Sequence, residues 1–175
     1  MVKILTKQNV WDAGLERIRY LFDEFDEVCV SFSGGKDSTV TLQLALIVAE
    51  EKGRLPLTVQ FLDQEAEWQN VIDYMRVVMT DKRIKPMWFQ MPMVITNNAS
   101  SYERYSYCWE EGKEDLWIHP KHELSIKENN YGTNRFHDLF GKIFNYHFKG
   151  IKSCYLAGVR AEESPKRAMV LTEDR

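Results

Sequence analysis

Six consecutive residues, Ser33-Gly34-Gly35-Lys36-Asp37-Ser38, bring together two adjacent glycines, two hydroxyls, a cation and a carboxylate. The chemistry of that set is anion binding. Gly34 and Gly35 allow the backbone to turn so that successive N–H groups converge on one point. Ser33 and Ser38 add hydroxyl donors, and Lys36 adds a full positive charge. An apolar run, Val28-Cys29-Val30-Ser31-Phe32, precedes the six, and the pattern predicts a helix from 39 to about 51. A strand, a glycine turn and a helix start make an anion-binding device, because the first helical N–H groups lack partners and carry the positive end of the macrodipole. Phosphate or sulfate fits such a turn. The spacing is not that of a Walker A loop, which separates its first glycine from Gly-Lys-Ser/Thr by four residues.

Two further positions carry potential chemistry. Asp63 directly follows a predicted strand over 57–62, at the carboxyl end of the sheet where open α/β folds bind ligands. Its carboxylate could accept from ribose hydroxyls or an adenine amino group, hold a metal, or cap the following helix; the sequence leaves these readings open. A predicted strand over 153–159 ends at Arg160-Ala161-Glu162-Glu163-Ser164-Pro165-Lys166-Arg167. Arg160 and Arg167 there suit bidentate phosphate or sulfate binding, the alternative being a solvated basic segment. Cys108, His119 and His122 suggest a metal site only superficially, since a fourth ligand at ordinary spacing is missing.

The elements that must position these groups read as alternating strands and helices. Asn9 can cap a helix over about 10–25 whose stripe includes Val10, Trp11, Leu15, Ile18 and Phe22. The helix over 39–51 is apolar on most sides, so it is expected between the sheet and another layer; Gly53 and Pro56 mark its end. The 57–62 strand is largely apolar, as a central parallel strand should be, and closes a right-handed βαβ unit. A helix over about 68–80 turns Val71, Ile72, Met75, Val78 and Met79 inward, and a strand over 87–91 is bounded by Pro86 and Pro92. From 94 to 133 the pattern dissolves into an aromatic-rich insertion, expected to be a lid or binding loop. Its Tyr and Trp residues could stack on a base or fill a satellite core. A helix over 134–148 is expected to bury Phe136, Leu139, Phe140, Ile143 and Phe144.

At 175 residues and 44% apolar content the chain is expected to form one domain, 1–175, with a real core. A net charge of −3 gives no whole-chain attraction to nucleic acid or anionic membranes, so an anion site has to be local. No apolar run approaches the roughly 20 residues of a membrane span and no signal-peptide core is present, so a cytoplasmic location is expected. Cys29, Cys108 and Cys154 include no CxxC pair; Cys29 and Cys154 fall in predicted strands and are expected to be buried thiols.

Three segments together resemble the phosphoadenosine phosphosulfate (PAPS) reductase family of the PP-loop ATP pyrophosphatases: Ser33-Gly34-Gly35-Lys36-Asp37-Ser38, Asp63, and the stretch over 158–167, similar to G-x-R-x-x-E-S-x-x-R. The likeness is greater to the predicted phosphoadenosine phosphosulfate sulfurtransferase branch, through Asp63-Gln64-Glu65-Ala66 and the region from Asn98 to Trp109. The resemblance implies an α/β fold: a three-layer parallel sheet of the adenine-nucleotide alpha-hydrolase, Rossmann-like type. It implies that Ser33, Gly34, Gly35, Lys36, Asp37 and Ser38 cradle the anionic end of ATP or PAPS, with Mg²⁺ beside Asp37. Asp63 would lie near the adenosine, and Arg160 and Arg167 would clamp the anion, oriented by Glu163. Lys36, Asp37 and Arg160 would then serve the chemistry. The family's reductases carry a nucleophilic Cys in a C-terminal ECGxH-like tail that this sequence lacks, and members of the branch generally continue past residue 175. A missing C-terminal part is therefore expected, and with it either an adenylylating or sulfuryl-transferring enzyme or a regulatory nucleotide-binding module completed by a partner protein.

Overall fold

A computed structural model describes residues 7–160 together with Glu163 and Met169. Strands β1 (Glu27–Ser31), β2 (Leu57–Leu62), β3 (Ile84–Phe89) and β6 (Ser153–Ala157) form one parallel sheet in the order β3-β2-β1-β6. Helices α1 (Val10–Glu24), α2 (Lys36–Glu51) and α3 (Gln69–Met79) share an apolar core with one face, reached by Val28, Val30, Val59 and Phe61. The opposite face carries α4 (Phe136–His147) and an antiparallel ribbon of β4 (Met93–Thr96) with β5 (Tyr105–Cys108). Alternate strand residues supply the two cores, as the pleat requires: Cys29 and Leu62 turn to the α4 side. The expected three-layer α/β architecture is present.

All six residues of β2 are buried, Thr58 and Gln60 among them, as expected of a largely apolar central parallel strand. Asn9 caps α1 by accepting from the Asp12 N–H at 2.9 Å. Val10 and Trp11, expected on the inward stripe, are exposed; they lie in the first turn, ahead of the buried Leu15, Ile18 and Phe22. Helix α2 begins three residues earlier than expected, so Lys36, Asp37 and Ser38 form its first turn.

The third strand also starts earlier than expected and contains Pro86 instead of ending at it. Pro86 pairs in register with Val59. The Trp88 carbonyl accepts from Ile126 N on the side away from β2. By strand alternation Pro86 faces that same outer side, so its missing N–H costs no bond to β2. The 94–133 stretch is less irregular than expected, since β5 closes a hairpin on β4. Trp109 is fully buried in the second core while Tyr102 and Tyr107 are exposed, so part of the aromatic content is satellite core. Along α4, Leu139 and Ile143 are buried, but Phe136, Phe140 and Phe144 are only half-buried: they flank that line instead of lying on it. Among the described residues no helix is long and apolar enough to cross a membrane.

Candidate anion-binding site at the carboxyl end of the sheet

Chain direction reverses across the sheet at β1: β2 and β3 follow on one side, and β6 returns on the other. Such a reversal opens a crevice at the carboxyl ends of the strands. The residues after β1 and after β6 meet there.

Gly34 has φ +73, a conformation that favours glycine, and a Cβ on it would stand 3.0 Å from both Met75 Cε and Val71 Cγ1 of α3. Gly35 is the N-cap of α2 and has no side chain to offer the first-turn N–H groups. Its carbonyl is fixed inward, accepting from Thr39 N, Thr39 Oγ1 and Ser38 Oγ, each at 2.9 Å. Across a trans peptide the next N–H points the opposite way, so Lys36 N–H is turned outward. Ser38 is buried, and its hydroxyl proton is committed to Gly35. It therefore braces the turn, also accepting from Ser33 N at 3.3 Å, instead of donating to a ligand. Ser33 Oγ, 3.1 Å from Ser38 Oγ, remains at the surface, as does Lys36.

The end of β6 is pressed onto this turn. A Cβ on Gly158 would lie 2.7 Å from the Asp37 carbonyl oxygen and 2.8 Å from Thr41 Oγ1, so only glycine allows the approach. Two residues later Arg160 Nε reaches Asp37 Oδ2 at 3.4 Å, and Arg160 Nη2 reaches Glu163 Oε1 at 3.4 Å. Both pairs are long and solvated, leaving the guanidinium able to turn toward a bound anion. Arg167, expected in the same clamp, lies outside the described residues.

Asp63 sits one strand away and is fully buried. Its Oδ2 accepts from Trp88 Nε1 at 3.0 Å and Gln90 Nε2 at 2.8 Å, and its Oδ1 from Glu65 N at 2.8 Å. Burial pushes its pKa up, against those three donors. His119 Nδ1 lies 3.3 Å from the Pro120 carbonyl, which can only accept, so Nδ1 carries a hydrogen. His119 Nε2, buried without a hydrogen-bond partner, faces Asp63 Oδ1 at 3.9 Å. Sequence reasoning missed Glu65, which is buried at φ +64 and accepts from Trp109 N at 2.5 Å and Ile118 N at 3.1 Å. Trp109 is also left-handed, at φ +55, and its Nε1 donates to the Asp63 carbonyl at 2.8 Å. Asp63 and Glu65 thus fasten the aromatic segment to the tip of β2. A signal was present in the spacing of two acids after an apolar strand, but nothing in it identifies their donors.

The described residues contain no group of three or more potential metal ligands. Asp37 is a half-exposed carboxylate in the first turn of α2, and Mg²⁺ characteristically takes one or two carboxylates, completing its shell with phosphate and water. Asp37 fits that role. Two clefts of about 570 and 620 Å³ lie away from the loop, one under the β4–β5 ribbon and one beside Trp117 and Lys121.

All three cysteines are free. Burial, with the Glu65 and Asp63 carboxylates nearby, pushes the Cys108 thiol up to about 12; burial also raises Cys29 and the half-buried Cys154. At pH 8 iodoacetamide should leave Cys29 and Cys108 unmodified in the native protein and label Cys154 slowly, as counted by mass spectrometry.

A family model described as the phosphoadenosine phosphosulfate reductase domain matches residues 27–174. An uncharacterized protein of Escherichia coli (strain K12), YbdN, is 30% identical over 177 residues, an alignment covering 97% of this chain and 43% of that protein. The chain therefore spans less than half the length of this relative.

Proposed function

Because the chain belongs to the phosphoadenosine phosphosulfate reductase domain family, we propose that it binds ATP or PAPS by the anionic end at the start of α2 and transfers a group from it. The observation that carries this reading is the outward-turned first turn of α2, set at the reversal of strand order with Lys36 and Arg160 beside it. Lys36 and the amides of the first turn bind the anion, joined by the Ser33 hydroxyl once it turns from Ser38; Arg160 closes on it from β6. Glu163 holds Arg160 in reach, and Arg167 is assigned by resemblance to the same clamp. Asp37 would hold Mg²⁺, which supplies charge neutralisation on the phosphates.

With ATP, an acceptor oxygen attacks the α-phosphorus and the bond to the bridging oxygen breaks. Pyrophosphate leaves with the bonding electrons, and the acceptor's proton passes to solvent. The loop donors stabilise the charge that builds on the leaving group. With PAPS, the sulfuryl group moves to the acceptor and adenosine 3′,5′-bisphosphate is left in the loop. Asp63 serves either case indirectly, through the segment it holds, because its oxygens are already occupied.

A second reading, a regulatory nucleotide-binding module completed by further chain or a partner protein, is favoured by the burial of Cys29 and Cys108, which raises both thiols. Incubation with ATP, Mg²⁺ and, separately, PAPS distinguishes the two. Release of pyrophosphate or of adenosine 3′,5′-bisphosphate supports the enzyme; binding without turnover supports the module. Arg160→Ala should weaken nucleotide binding about tenfold, as loss of a charge-assisted bond does. Its melting temperature should stay within about 1 °C, since exposed ion pairs contribute little.

A further inference from the structure

Trp68 is 81% exposed, although it prolongs the innermost line of α3. At about 100° per residue, positions 68, 72, 75 and 79 fall within about 60° of one another on a helix. Ile72, Met75 and Met79 on that line are at most 1% exposed. Trp68 is the N-cap, with extended backbone at φ −63 and ψ 142, and its carbonyl accepts from Val71 N at 2.8 Å and Ile72 N at 3.1 Å, which fixes it to the first turn of α3. The change from buried to exposed comes from position. Val71 and Met75 lie directly over Gly34, and Trp68 stands one turn, about 5.4 Å, farther along the axis, beyond the end of the sheet. Val77 is also exposed, at 69%, but it lies on the opposite side of α3, where a lone apolar residue needs no explanation.

A large flat ring therefore stands at the end of α3 whose first turn packs over Gly34, and no aromatic contact of this ring occurs among the described residues. Resting on the function proposed above, we propose that Trp68 is the platform on which the purine of the bound nucleotide stacks, while the phosphates or phosphosulfate occupy the start of α2. Stacking on an indole needs no hydrogen-bond readout, so the site discriminates nucleotides from inorganic anions more than one purine from another.

The test is calorimetric titration of ATP, PAPS and inorganic tripolyphosphate into the wild-type protein and into Trp68→Ala, Trp68→Phe and Lys36→Ala. Trp68→Ala should weaken the nucleotide by about tenfold or more, Trp68→Phe should recover most of that loss, and both should bind tripolyphosphate as the wild type does. Nucleotide should also quench an indole emission that is absent from Trp68→Phe. If Trp68→Ala binds nucleotide with unchanged affinity while Lys36→Ala loses both nucleotide and tripolyphosphate, the stacking role is wrong and the anion site stands. If the wild type binds none of the three ligands, the proposed function fails and the stacking role with it.

Discussion

Replacing Gly35 by Val should remove measurable nucleotide binding and leave the melting temperature nearly unchanged. The two glycines of the turn differ in what they do. At Gly35 a side chain would meet only Ser33 Oγ, at an ordinary 3.5 Å, and φ is −74, which any residue adopts. The fold therefore accepts valine, but its methyl groups would occupy the space in front of the first-turn amides. Lys36→Ala should likewise lower affinity by on the order of a hundredfold, since it removes a charged donor from an anion site. Lys36 is exposed and holds nothing in the fold. Gly34→Val is the control: with φ +73 and two side chains at 3.0 Å it should lower stability as well as binding. Circular-dichroism melts and calorimetry with ATP or PAPS separate the three. Wild-type affinity in a folded Gly35→Val protein would show that the ligand does not approach those amides.

Asp63→Asn should have the largest effect on stability. The carboxylate accepts three hydrogen bonds in a fully buried place, from Trp88, Gln90 and the Glu65 backbone. An amide has one acceptor oxygen, so at least one of these buried donors must face an NH₂ group. Oδ1 holds one donor and Oδ2 two, so the amide strands one or two of them; at about 1–3 kcal/mol for each, the loss is about 2–5 kcal/mol. For a chain of this size that corresponds to a fall of about 5–15 °C in melting temperature. If Asp63 instead contacted the adenosine directly, Asp63→Asn would lower affinity while the melt stayed put.

The pH dependence has a definite sign. A carboxyl whose folded pKa is raised contributes its full stability below its unfolded pKa and loses it as pH rises through the folded value. Burial raises Asp63, and burial together with the Asp63 charge raises Glu67. The wild type should therefore lose part of its stability as pH climbs through the raised pKa values, in denaturant titrations at constant salt. Asp63→Asn should flatten that trend.

The parallel sheet and the glycine turn between β1 and α2 were legible in the sequence because they depend on local pattern. An apolar strand, two glycines and an apolar helix are contiguous, and the βαβ crossover has one hand. Even so, the helix start was misplaced by three residues, because Lys36, Asp37 and Ser38 look like loop residues and become helical only when Gly35 caps them. Pro86 looked like a strand boundary because its compatibility with β3 depends on which side the neighbouring strand lies. The clasp around Asp63 was out of reach for a stronger reason. Its donors come from positions 65, 88 and 90, and Glu65 is tied to Trp109 across 44 residues of chain. No periodicity connects such residues, and left-handed backbone at a glutamate and a tryptophan is a cost only tertiary contacts offset.

The placement of Pro86 also governs how these molecules can associate when they misbehave. On the outer flank of β3 the proline withholds a donor, and farther along Ile126 already occupies the backbone of Trp88 and Gln90. A foreign strand finds no continuous template there. At the other flank β6 is the outermost strand of this sheet among the described residues, with four half-buried residues and no proline. Edge-to-edge pairing through this sheet should consequently favour the β6 flank over the β3 flank, and a proline or lysine introduced in β6 would suppress it.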